Sequence, residues 1–259
     1  MKIFAISDVH GHYKEMITAL NEVGFDENNK DHLLISVGDE FDRGQESLAV
    51  YEYLKRLSDK GKAIVLKGNH SKFLINYLNG VSITPFNYFH NGTNETLADF
   101  LHETAPFGTF CLFNHIDNPT YDDFAHWITL ARKEINKEYP DLINWLETRP
   151  YYYETENYIF THGAIDTDIE DWHESNWDKC IWDDGSFFAK TINNTNKTVV
   201  IGHFGTYHLR KMYYIKENKD IHSILKRDDG QVIAIDATTA LSKKVNVFVV
   251  EDEVITSGR

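Results

Sequence analysis

The sequence predicts an α/β fold in which two β-sheets pack against each other and helices flank them. Its first seventy residues repeat a unit made of a short apolar run, a polar loop and a segment with helical periodicity, which is typical of strands joined by helices. After residue 150 the chain returns to short apolar runs that are too closely spaced for simple alternation of strands and helices. These later runs favour a second sheet packed on the first.

The elements of the first seventy residues are predicted from the spacing of their apolar residues. Apolar runs at residues 3–7, 33–37 and 63–66 are predicted to be buried strands. Two helices are predicted from apolar residues that recur on one helical face: Met16, Ile17, Leu20 and Val23, then Val50, Leu54 and Leu57.

The rest of the chain divides into an aromatic-rich segment and a group of later strands. Residues from about 79 to 150 are mainly helical in pattern, with one helical face formed by Trp127, Ile128, Ala131 and Ile135. We interpret this segment as an insertion that shapes the substrate cleft of a single domain spanning residues 1–259. The later strands are predicted at residues 158–161, 198–201, 232–235 and 245–250.

Composition excludes several classes of protein. The formal net charge of −14 would repel nucleic-acid backbones and anionic membranes, so neither is predicted as a partner. No apolar stretch is long enough to span a bilayer and no signal peptide is recognised, so a cytoplasmic protein is expected. The cysteines, Cys111 and Cys180, are far apart and indicate a reducing compartment rather than a disulfide framework.

Three polar loops follow the first three predicted strands. They carry Asp8 and His10, then Asp39, Asp42 and Arg43, then Asn69 and His70. Each loop taken alone has an ordinary interpretation, as a helix cap, a surface ion pair or a turn. Because the loops occupy equivalent places in successive units, the carboxyl ends of the strands are expected to bring them to one cleft.

Two further histidines, His162 and His203, stand at the ends of later apolar runs and would face the same cleft. The combined set offers enough nitrogen and oxygen ligands for two divalent ions. Its mixture of imidazole, carboxylate and amide suits manganese, iron or zinc better than calcium, and the absence of clustered cysteines argues against structural zinc.

These segments resemble the phosphoprotein-phosphatase branch of the calcineurin-like metallophosphoesterases, especially its compact bacterial and phage enzymes. The matching motifs are D-x-H-G, G-D-x-x-D-R-G, G-N-H, H-G and G-H, at residues 8–11, 38–44, 68–70, 162–163 and 202–203. Residues 90–97 are similar to an N-G-G-x-x-T-L segment of the bacterial forms. The resemblance extends over most of the chain and implies a four-layer sandwich of two mixed β-sheets flanked by α-helices.

The resemblance also implies a role for each site residue. Asp39 would bridge two metal ions, Asp8 and His10 would bind one ion, and the other would be bound by Asn69, His162 and His203. His70 would be a general acid held by Asp42, and Arg43 would grip phosphate oxygens. Two ions, expected to be Mn²⁺, with Fe or Zn as alternatives, can lower the pKa of a bridging water enough to supply hydroxide near neutral pH.

The chain departs from the family pattern at two places. Ser71 follows the G-N-H triplet where the family usually has an acidic residue, and we expect this change to loosen support behind the metal ligands. Asp183 follows Trp182 where many members have a second phosphate-binding arginine. No arginine lies between His162 and His203, and the candidates to replace it are Lys179, Lys190 and Arg210.

The predicted function is a dinuclear-metal phosphomonoesterase, with a serine/threonine protein phosphatase as the leading hypothesis. Its substrate would be a phosphorylated protein or a small phosphate ester. The alternative enzyme is a symmetrical diadenosine-tetraphosphate hydrolase, and the second Asp of the loop at residues 38–44 favours the phosphatase over it. A third hypothesis, suggested by Ser71 and Asp183, is a metal-binding pseudophosphatase without turnover. The sequence does not determine the oligomeric state.

Overall fold

Two mixed β-sheets form the centre of the computed structural model, which describes residues 1–81, 84–102, 121–216 and 220–257. The strands of the first sheet are β1 (Lys2–Ile6), β2 (His32–Ser36), β3 (Ala63–Val65) and β9 (Phe248–Glu251). Their order is β3-β2-β1-β9, in which β1, β2 and β3 are parallel and β9 is antiparallel to β1.

The second sheet contains six strands. They are β4 (Tyr152–Thr155), β5 (Tyr158–Thr161), β6 (Thr198–Ile201), β7 (Leu225–Lys226), β8 (Val232–Ala234) and β10 (Val254–Ser257). Their order is β10-β4-β5-β6-β8-β7, and the central strands β5, β6 and β8 are parallel to one another. The carboxyl ends of these three strands therefore lie along one edge of the sheet.

Helices cover the outer faces of the sheets and fill the long connection between them. In the described ranges they are α1 (Tyr13–Glu22), α2 (Ser47–Asp59), α3 (Asn69–Leu78), α4 (Pro85–His90), α5 (Thr93–Phe100), α6 (Tyr121–Glu138), α7 (Leu142–Glu147), α8 (Trp177–Cys180), α9 (Thr206–Met212) and α10 (Thr239–Ser242). Two 3₁₀ turns lie at Trp172–Glu174 and Ser186–Ala189. No helix among these is both long and apolar enough to cross a membrane.

Strand β1 shows why the chain forms four layers. Its side chains alternate between two cores: Ile3 and Ala5 lie in the apolar cluster between the sheets, and Phe4 and Ile6 lie in the cluster beneath the helices. Both faces are buried, so the strand is apolar from Ile3 to Ile6, as is typical of a parallel sheet covered on both sides. Full burial of a large apolar side chain such as Ile3 or Phe4 contributes roughly 1.5–3 kcal/mol relative to exposure.

The layers follow in the order helix, sheet, sheet, helix. A third apolar cluster lies on the outer face of the second sheet and contains Ile159, Val199 and Leu209. Strands β5 and β6 thus alternate as β1 does, since Phe160 and Val200 face the cluster between the sheets. The predicted fold class, two mixed sheets flanked by helices, is confirmed.

Helices α4 to α7 lie in the segment interpreted as an insertion. Ile128, Ala131 and Ile135 are buried on one face of α6 and join the core that contains Phe4, as the spacing predicts. The side chain of Trp127 lies outside the described residues, as do residues 103–120 with Cys111. The division of the chain into a single domain with an insertion at about 79–150 stays a prediction.

Several short elements were not predicted. Strands β4, β7 and β10 and helices α8 to α10 have between two and seven residues each, too few for a clear period. The strand predicted at 245–250 forms at Phe248–Glu251 instead. Asn246, ahead of that strand, donates side-chain hydrogen bonds to the carbonyls of His222 and Ile235, which ties it to a loop.

Candidate metal centre

The predicted site residues follow parallel strands of both sheets, and the strand ends of the two sheets meet. The backbone N–H of His203 donates to Oδ2 of Asp8 over 2.9 Å. Nδ1 of His162 donates to the carbonyl of Val37 over 2.8 Å. Each contact joins the end of a strand in one sheet to the end of a strand in the other, so the cleft lies where the two sheets meet.

Many residues of this cleft have a left-handed backbone. The φ angles are positive at these non-glycine positions: Asp8 (52°), His10 (48°), Asp39 (58°), Asp42 (72°), Arg43 (70°) and His203 (63°). Such conformations cost about 1–3 kcal/mol each and persist where the surrounding structure enforces them. Their concentration here indicates that the backbone is held in shape for the side chains it presents.

Two motif glycines are required by close approach to carboxylates. A Cβ atom at Gly68 would overlap the carboxylate of Asp39, and one at Gly202 would overlap Ser7 and the carboxylate of Asp8. The first glycine of G-N-H and the glycine of G-H therefore let these strand ends close around the cleft.

The candidate ligand atoms form two groups that share one carboxylate. The first contains His10, Asp39 and His70, and the second contains Asp39, His162 and His203; within each group the ligand atoms lie within 4.8 Å of one another. Asp39 belongs to both groups, which is the position that a bridging ligand needs.

The remaining predicted ligands lie beside these groups. Oδ1 of Asp8 is 3.8 Å from Nε2 of His10, while Oδ2 of Asp8 accepts hydrogen bonds from Ser7 and from the backbone of His203. Oδ1 of Asn69 is 2.9 Å from Nε2 of His162. The structure thus brings all six predicted ligands together, and their individual roles stay a prediction.

His70 is oriented by Asp42. Its Nδ1 donates to Oδ2 of Asp42 over 2.6 Å, which leaves Nε2 directed toward His10 and Asp39. This is the arrangement predicted for a general acid. Because the ring is in reach of the first ligand group, the geometry by itself also permits a ligand role.

Arg43 lies across the first ligand group. Its Nη1 is 2.7 Å from Nε2 of His10 and its Nη2 is 3.0 Å from Nε2 of His70. A guanidinium in this position can bind two oxygens of a phosphoryl group.

The loop at residues 38–44 is supported by helix α5. The hydroxyl of Thr96 donates to Oδ1 of Asp42 over 2.9 Å and accepts from the backbone N–H of Asp42 over 2.7 Å. The backbone N–H of Arg43 donates to the carbonyl of Gly92 over 3.2 Å. The segment at residues 90–97, which resembles the bacterial forms, therefore holds the two predicted catalytic residues Asp42 and Arg43 in place.

Burial and charge set the protonation of the site. Burial raises the pKa of Asp8 to about 6, and burial together with Arg43 lowers the pKa of His10 well below its usual range. Burial and the charge of His162 lower the pKa of His203 to about 3. Burial alone would raise the pKa of Asp39, but the charges of His162 and His70 hold it well below its ordinary value.

This donor set fits divalent cations. His10 and His203 are neutral imidazoles with lone pairs. Asp39 is a buried ionised carboxylate whose positive partner in the metal-free protein is the His162 ring. Imidazole, carboxylate and amide ligands suit Mn²⁺, Fe²⁺ or Zn²⁺. The residues present therefore match the ligands that two such ions require.

Metal binding is expected to release a proton from His162. Burial would lower the pKa of this ring, but Asp39 beside it, at 3.2 Å, raises the pKa to about 9. Both ring nitrogens donate in the metal-free protein, Nδ1 to Val37 and Nε2 to Asn69. A metal on Nε2 must displace that proton, so the apparent affinity should fall about tenfold per pH unit below about 9.

Calorimetric titration of Mn²⁺ in buffers of different ionisation enthalpy measures this proton. The raised pKa also has a sign for stability: in the metal-free protein the Asp39–His162 pair stabilises the fold fully below the ordinary value of 6.5 and ceases to as pH rises through about 9. A metal affinity that does not change between neutral pH and pH 9 would show that the ring is already neutral.

Asp236 is a site residue that the sequence analysis missed. It follows β8 and is 5% exposed, and burial together with the charge of Asp8 raises the pKa of its carboxyl group well above the usual range. One of its oxygens accepts from the backbone N–H of Thr238 over 2.6 Å. The reasoning applied to Asp8 and Asp39, a carboxylate just after a parallel strand, could have found it.

A buried ion pair behind the site was also missed. Nη1 of Arg149 donates to Oε2 of Glu40 over 2.8 Å, and Glu40 also accepts from the hydroxyls of Ser36 and Ser71. Glu40 is fully buried next to Asp39 in the chain. Ser71 thus has a carboxylate beside it, supplied by Glu40, and the loosening expected from Ser71 stays a prediction.

Substituting Arg149→Met is expected to lower the free energy of unfolding by about 3–5 kcal/mol, because it leaves the Glu40 carboxylate buried without its charged partner. Thermal unfolding should show this as a drop of several degrees in Tm. The double variant Glu40→Leu with Arg149→Met should recover much of the loss.

Lys55→Met, which breaks the exposed Lys55–Asp59 pair, is the matched control and should change stability by less than about 1 kcal/mol. Equal effects of Arg149→Met and Lys55→Met would contradict the importance of the buried pair.

One candidate for the missing arginine is excluded by its contacts. The guanidinium of Arg210 is buried and donates to the carbonyls of Ile221 and Ser223, away from the ligand groups. Lys179 and Lys190, the other two candidates, line a cavity together with Trp182. Nζ of Lys190 lies 3.9 Å from Oδ2 of Asp168. In the described part of the chain, Arg43 is the arginine that contacts the ligand groups.

The two-sheet sandwich with this cluster at its strand ends defines a metallophosphoesterase. The model of the calcineurin-like phosphoesterase family matches residues 1–235, and the chain belongs to that family. The predicted family and the predicted class, a metal-dependent phosphoester hydrolase, are confirmed at this level.

Curated relatives match part of the chain. The asymmetrical bis(5'-nucleosyl)-tetraphosphatase PrpE of Bacillus velezensis is 34% identical over 107 residues, which cover 39% of this chain and 41% of that protein. The symmetrical bis(5'-nucleosyl)-tetraphosphatase of Nitrosospira multiformis is 43% identical over 75 residues, covering 29% of this chain and 26% of the relative. The chain therefore spans less than half the length of these relatives.

A solved structure matches over nearly the whole length. It belongs to a provisionally assigned diadenosine tetraphosphatase, superposes with a TM-score of 0.57, and covers 98% of this chain and 95% of its own. The sequence identity is 15%, so this likeness bears on the fold alone.

Proposed function

We propose that this protein is a dinucleoside-polyphosphate hydrolase that depends on two divalent metal ions. The observation that carries the proposal is the shared carboxylate of Asp39 between two imidazole groups, with Arg43 across one of them. The names of the partly matching relatives support a tetraphosphatase more than the protein phosphatase that led the sequence predictions. Dinucleoside polyphosphates are therefore the preferred substrate class.

The proposed assignment distributes the six predicted ligands over two ions. Asp8 and His10 would hold one ion, Asn69, His162 and His203 would hold the other, and Asp39 would hold both. When bound, such ions lower the pKa of a shared water and balance negative charge on the phosphoryl group. Manganese is the proposed metal, and iron and zinc fit the same ligands.

The chain's own residues would do the rest of the chemistry. Arg43 would bind phosphoryl oxygens with both arms of its guanidinium, and its backbone is fixed by Gly92. His70 would give a proton from Nε2 to the departing oxygen, since the hydrogen bond from Nδ1 to Asp42 holds the ring in place. Thr96 would keep Asp42 in line through two hydrogen bonds.

A serine/threonine phosphatase is the second candidate, favoured by the contact of 2.6 Å between Asp42 and His70. A serine or threonine alkoxide is a poor leaving group and needs a proton as it departs. A nucleotide leaves as a stabilised phosphate anion and needs this proton less. A well-oriented general acid is therefore of most use on a phosphomonoester of an alcohol.

Kinetics of the purified, Mn²⁺-loaded protein on diadenosine tetraphosphate and on a phosphoserine peptide would test the proposal. We expect the dinucleotide to have the higher kcat/KM, and its products to show whether cleavage is symmetrical, giving two ADP, or asymmetrical, giving ATP and AMP. Turnover of the phosphopeptide alone would refute the proposal in favour of the phosphatase. Two bound equivalents of metal without hydrolysis of any phosphate ester would instead support the metal-binding scaffold.

Other assignments stay predictions. The proposed enzyme would act on small soluble substrates in the cytoplasm. Metal analysis of the protein purified without added ions would identify the native pair.

A further inference from the structure

A cavity of about 340 Å³ adjoins the metal centre on the side of His203. Ala164, two residues after His162, forms part of its wall, and so does Asp183, to whose backbone the His203 ring is hydrogen-bonded. The proposed roles of the metal ligands, His70 and Arg43 do not involve this cavity. Asp183 thus both lines the cavity and contacts His203, a member of the second ligand group.

Trp182 stands between the cavity and the metal centre. Trp182 lines the cavity and is 44% exposed, so part of its indole is open to a ligand. Its ring centroid lies 6.5 Å from that of His203 and 5.3 Å from that of Phe73, and both contacts are edge-to-face. Phe73 in turn contacts His70 over 5.7 Å. The rings of His203 and Phe73 thus hold the indole near His70, the proposed general acid.

The charges of the cavity disfavour phosphate. Its lining contains four aspartates and two lysines: Asp166, Asp168, Asp183, Asp184, Lys179 and Lys190. One of the lysines, Lys190, already lies 3.9 Å from Asp168. Carboxylates repel phosphate and accept hydrogen bonds from hydroxyl groups such as those of ribose.

We propose that this cavity is a nucleoside subsite, in which a base stacks on Trp182 and the ribose hydroxyls donate to Asp166 and Asp168. The phosphate chain would run from there to Arg43 and the metal-ligand groups. The inference rests on the proposed function for the identity of the substrate, because a dinucleoside polyphosphate has a neutral nucleoside at each end of an anionic chain. A polar cavity beside an exposed indole and next to the phosphate site matches such an end.

Titration of adenosine into the metal-free protein tests the subsite without turnover. Trp182→Ala should weaken adenosine binding on the order of tenfold, the usual effect of losing one base–aromatic stack. Tyr214→Ala, which removes another exposed aromatic outside the cavity lining, is the control and should leave the affinity unchanged. In the Mn²⁺-loaded enzyme, Trp182→Ala should raise KM for diadenosine tetraphosphate similarly, and Tyr214→Ala should leave that KM unaltered.

The double variant Asp166→Asn with Asp168→Asn tests whether the two carboxylates favour a nucleoside over phosphate in the cavity. Oδ1 of Asp166 accepts from the backbone of Asp168, a turn that asparagine can also form, so the fold should be preserved. Adenosine should bind more weakly to this variant if the carboxylates hold the ribose. Tighter binding of inorganic phosphate with unchanged adenosine affinity would make the cavity a phosphate site and overturn the proposal.

The remaining outcomes separate this inference from the proposed function. Adenosine binding that depends on Trp182, with no hydrolysis of diadenosine tetraphosphate, would reject the proposed function and leave the subsite standing. Hydrolysis of the dinucleotide with the same KM in wild type and Trp182→Ala would reject the subsite alone. Weaker binding of an arginine-containing phosphopeptide to Trp182→Ala, with adenosine affinity unchanged, would assign the cavity to a basic peptide and also overturn it.

Discussion

Replacing His70 with asparagine is expected to lower kcat on glycerol phosphate by about 10²–10⁴-fold, which is the contribution of a positioned general acid. The loss should be much smaller on p-nitrophenyl phosphate, whose leaving group departs without a proton. Asparagine cannot donate a proton, and the Asp42 carboxylate that orients the imidazole would then have only an amide to hold. Steady-state kinetics on the two esters, with metal content measured alongside, gives the result.

The metal content decides between the two roles that the geometry permits for His70. If His70 is a general acid, the His70→Asn protein should still bind two ions. If His70 is a metal ligand, the variant should lose one ion. His102→Asn is a matched control, because His102 is exposed and contacts Glu138 away from the cleft. An equal loss of kcat on both esters would argue against proton donation to the leaving group.

Replacing Asp39 with asparagine is expected to lower both the metal content and the turnover. Asp39 is the carboxylate common to both ligand groups, so its loss should weaken both ions at once. Several kcal/mol of charge stabilisation would disappear, and because about 1.4 kcal/mol corresponds to tenfold, turnover should fall on the order of 10³-fold or more. Metal analysis after gel filtration should find fewer than two equivalents.

The control for this substitution is Asp59→Asn, which removes a carboxylate that pairs with Lys55 on the surface. It should bind metal as the wild type does. Retention of two ions with full turnover in Asp39→Asn would show that Asp39 does not bridge, and the proposed arrangement of the centre would be wrong. Retention of one ion would limit its role to a single group.

The metal ligands could be predicted from the sequence because they lie at the carboxyl ends of parallel strands, where ligands bind in α/β sheets. Asp8, Asp39 and Asn69 each stand just after a strand of one parallel set, and the carboxyl ends of such strands must meet. His162 and His203 follow a second parallel set in the same way. Local sequence was enough for these residues because the strands themselves were recognisable from short apolar runs.

Contacts between distant segments could not be predicted in the same way. Thr96 supports Asp42 from 54 positions further along the chain, and Arg149 pairs with Glu40 across 109 positions. Neither pairing leaves a local pattern, since a hydrogen bond or an ion pair depends on positions in space rather than on spacing in the chain. Asp236 differs from these residues, because it directly follows the strand predicted at residues 232–235 and is therefore recognisable from local sequence.

The order of residues along the chain was sufficient to define the family, the two-sheet architecture and the polar groups that converge at the strand ends. Those features follow from periodic apolar residues and from motifs whose glycines let the backbone approach carboxylates closely. The packing of the folded chain decided which side chains orient the cluster, how burial divides the charges among its histidines and carboxylates, and where an exposed indole meets a cavity. Each of these depends on the distance between atoms far apart in the chain and on their removal from water, and neither quantity exists until the chain has folded.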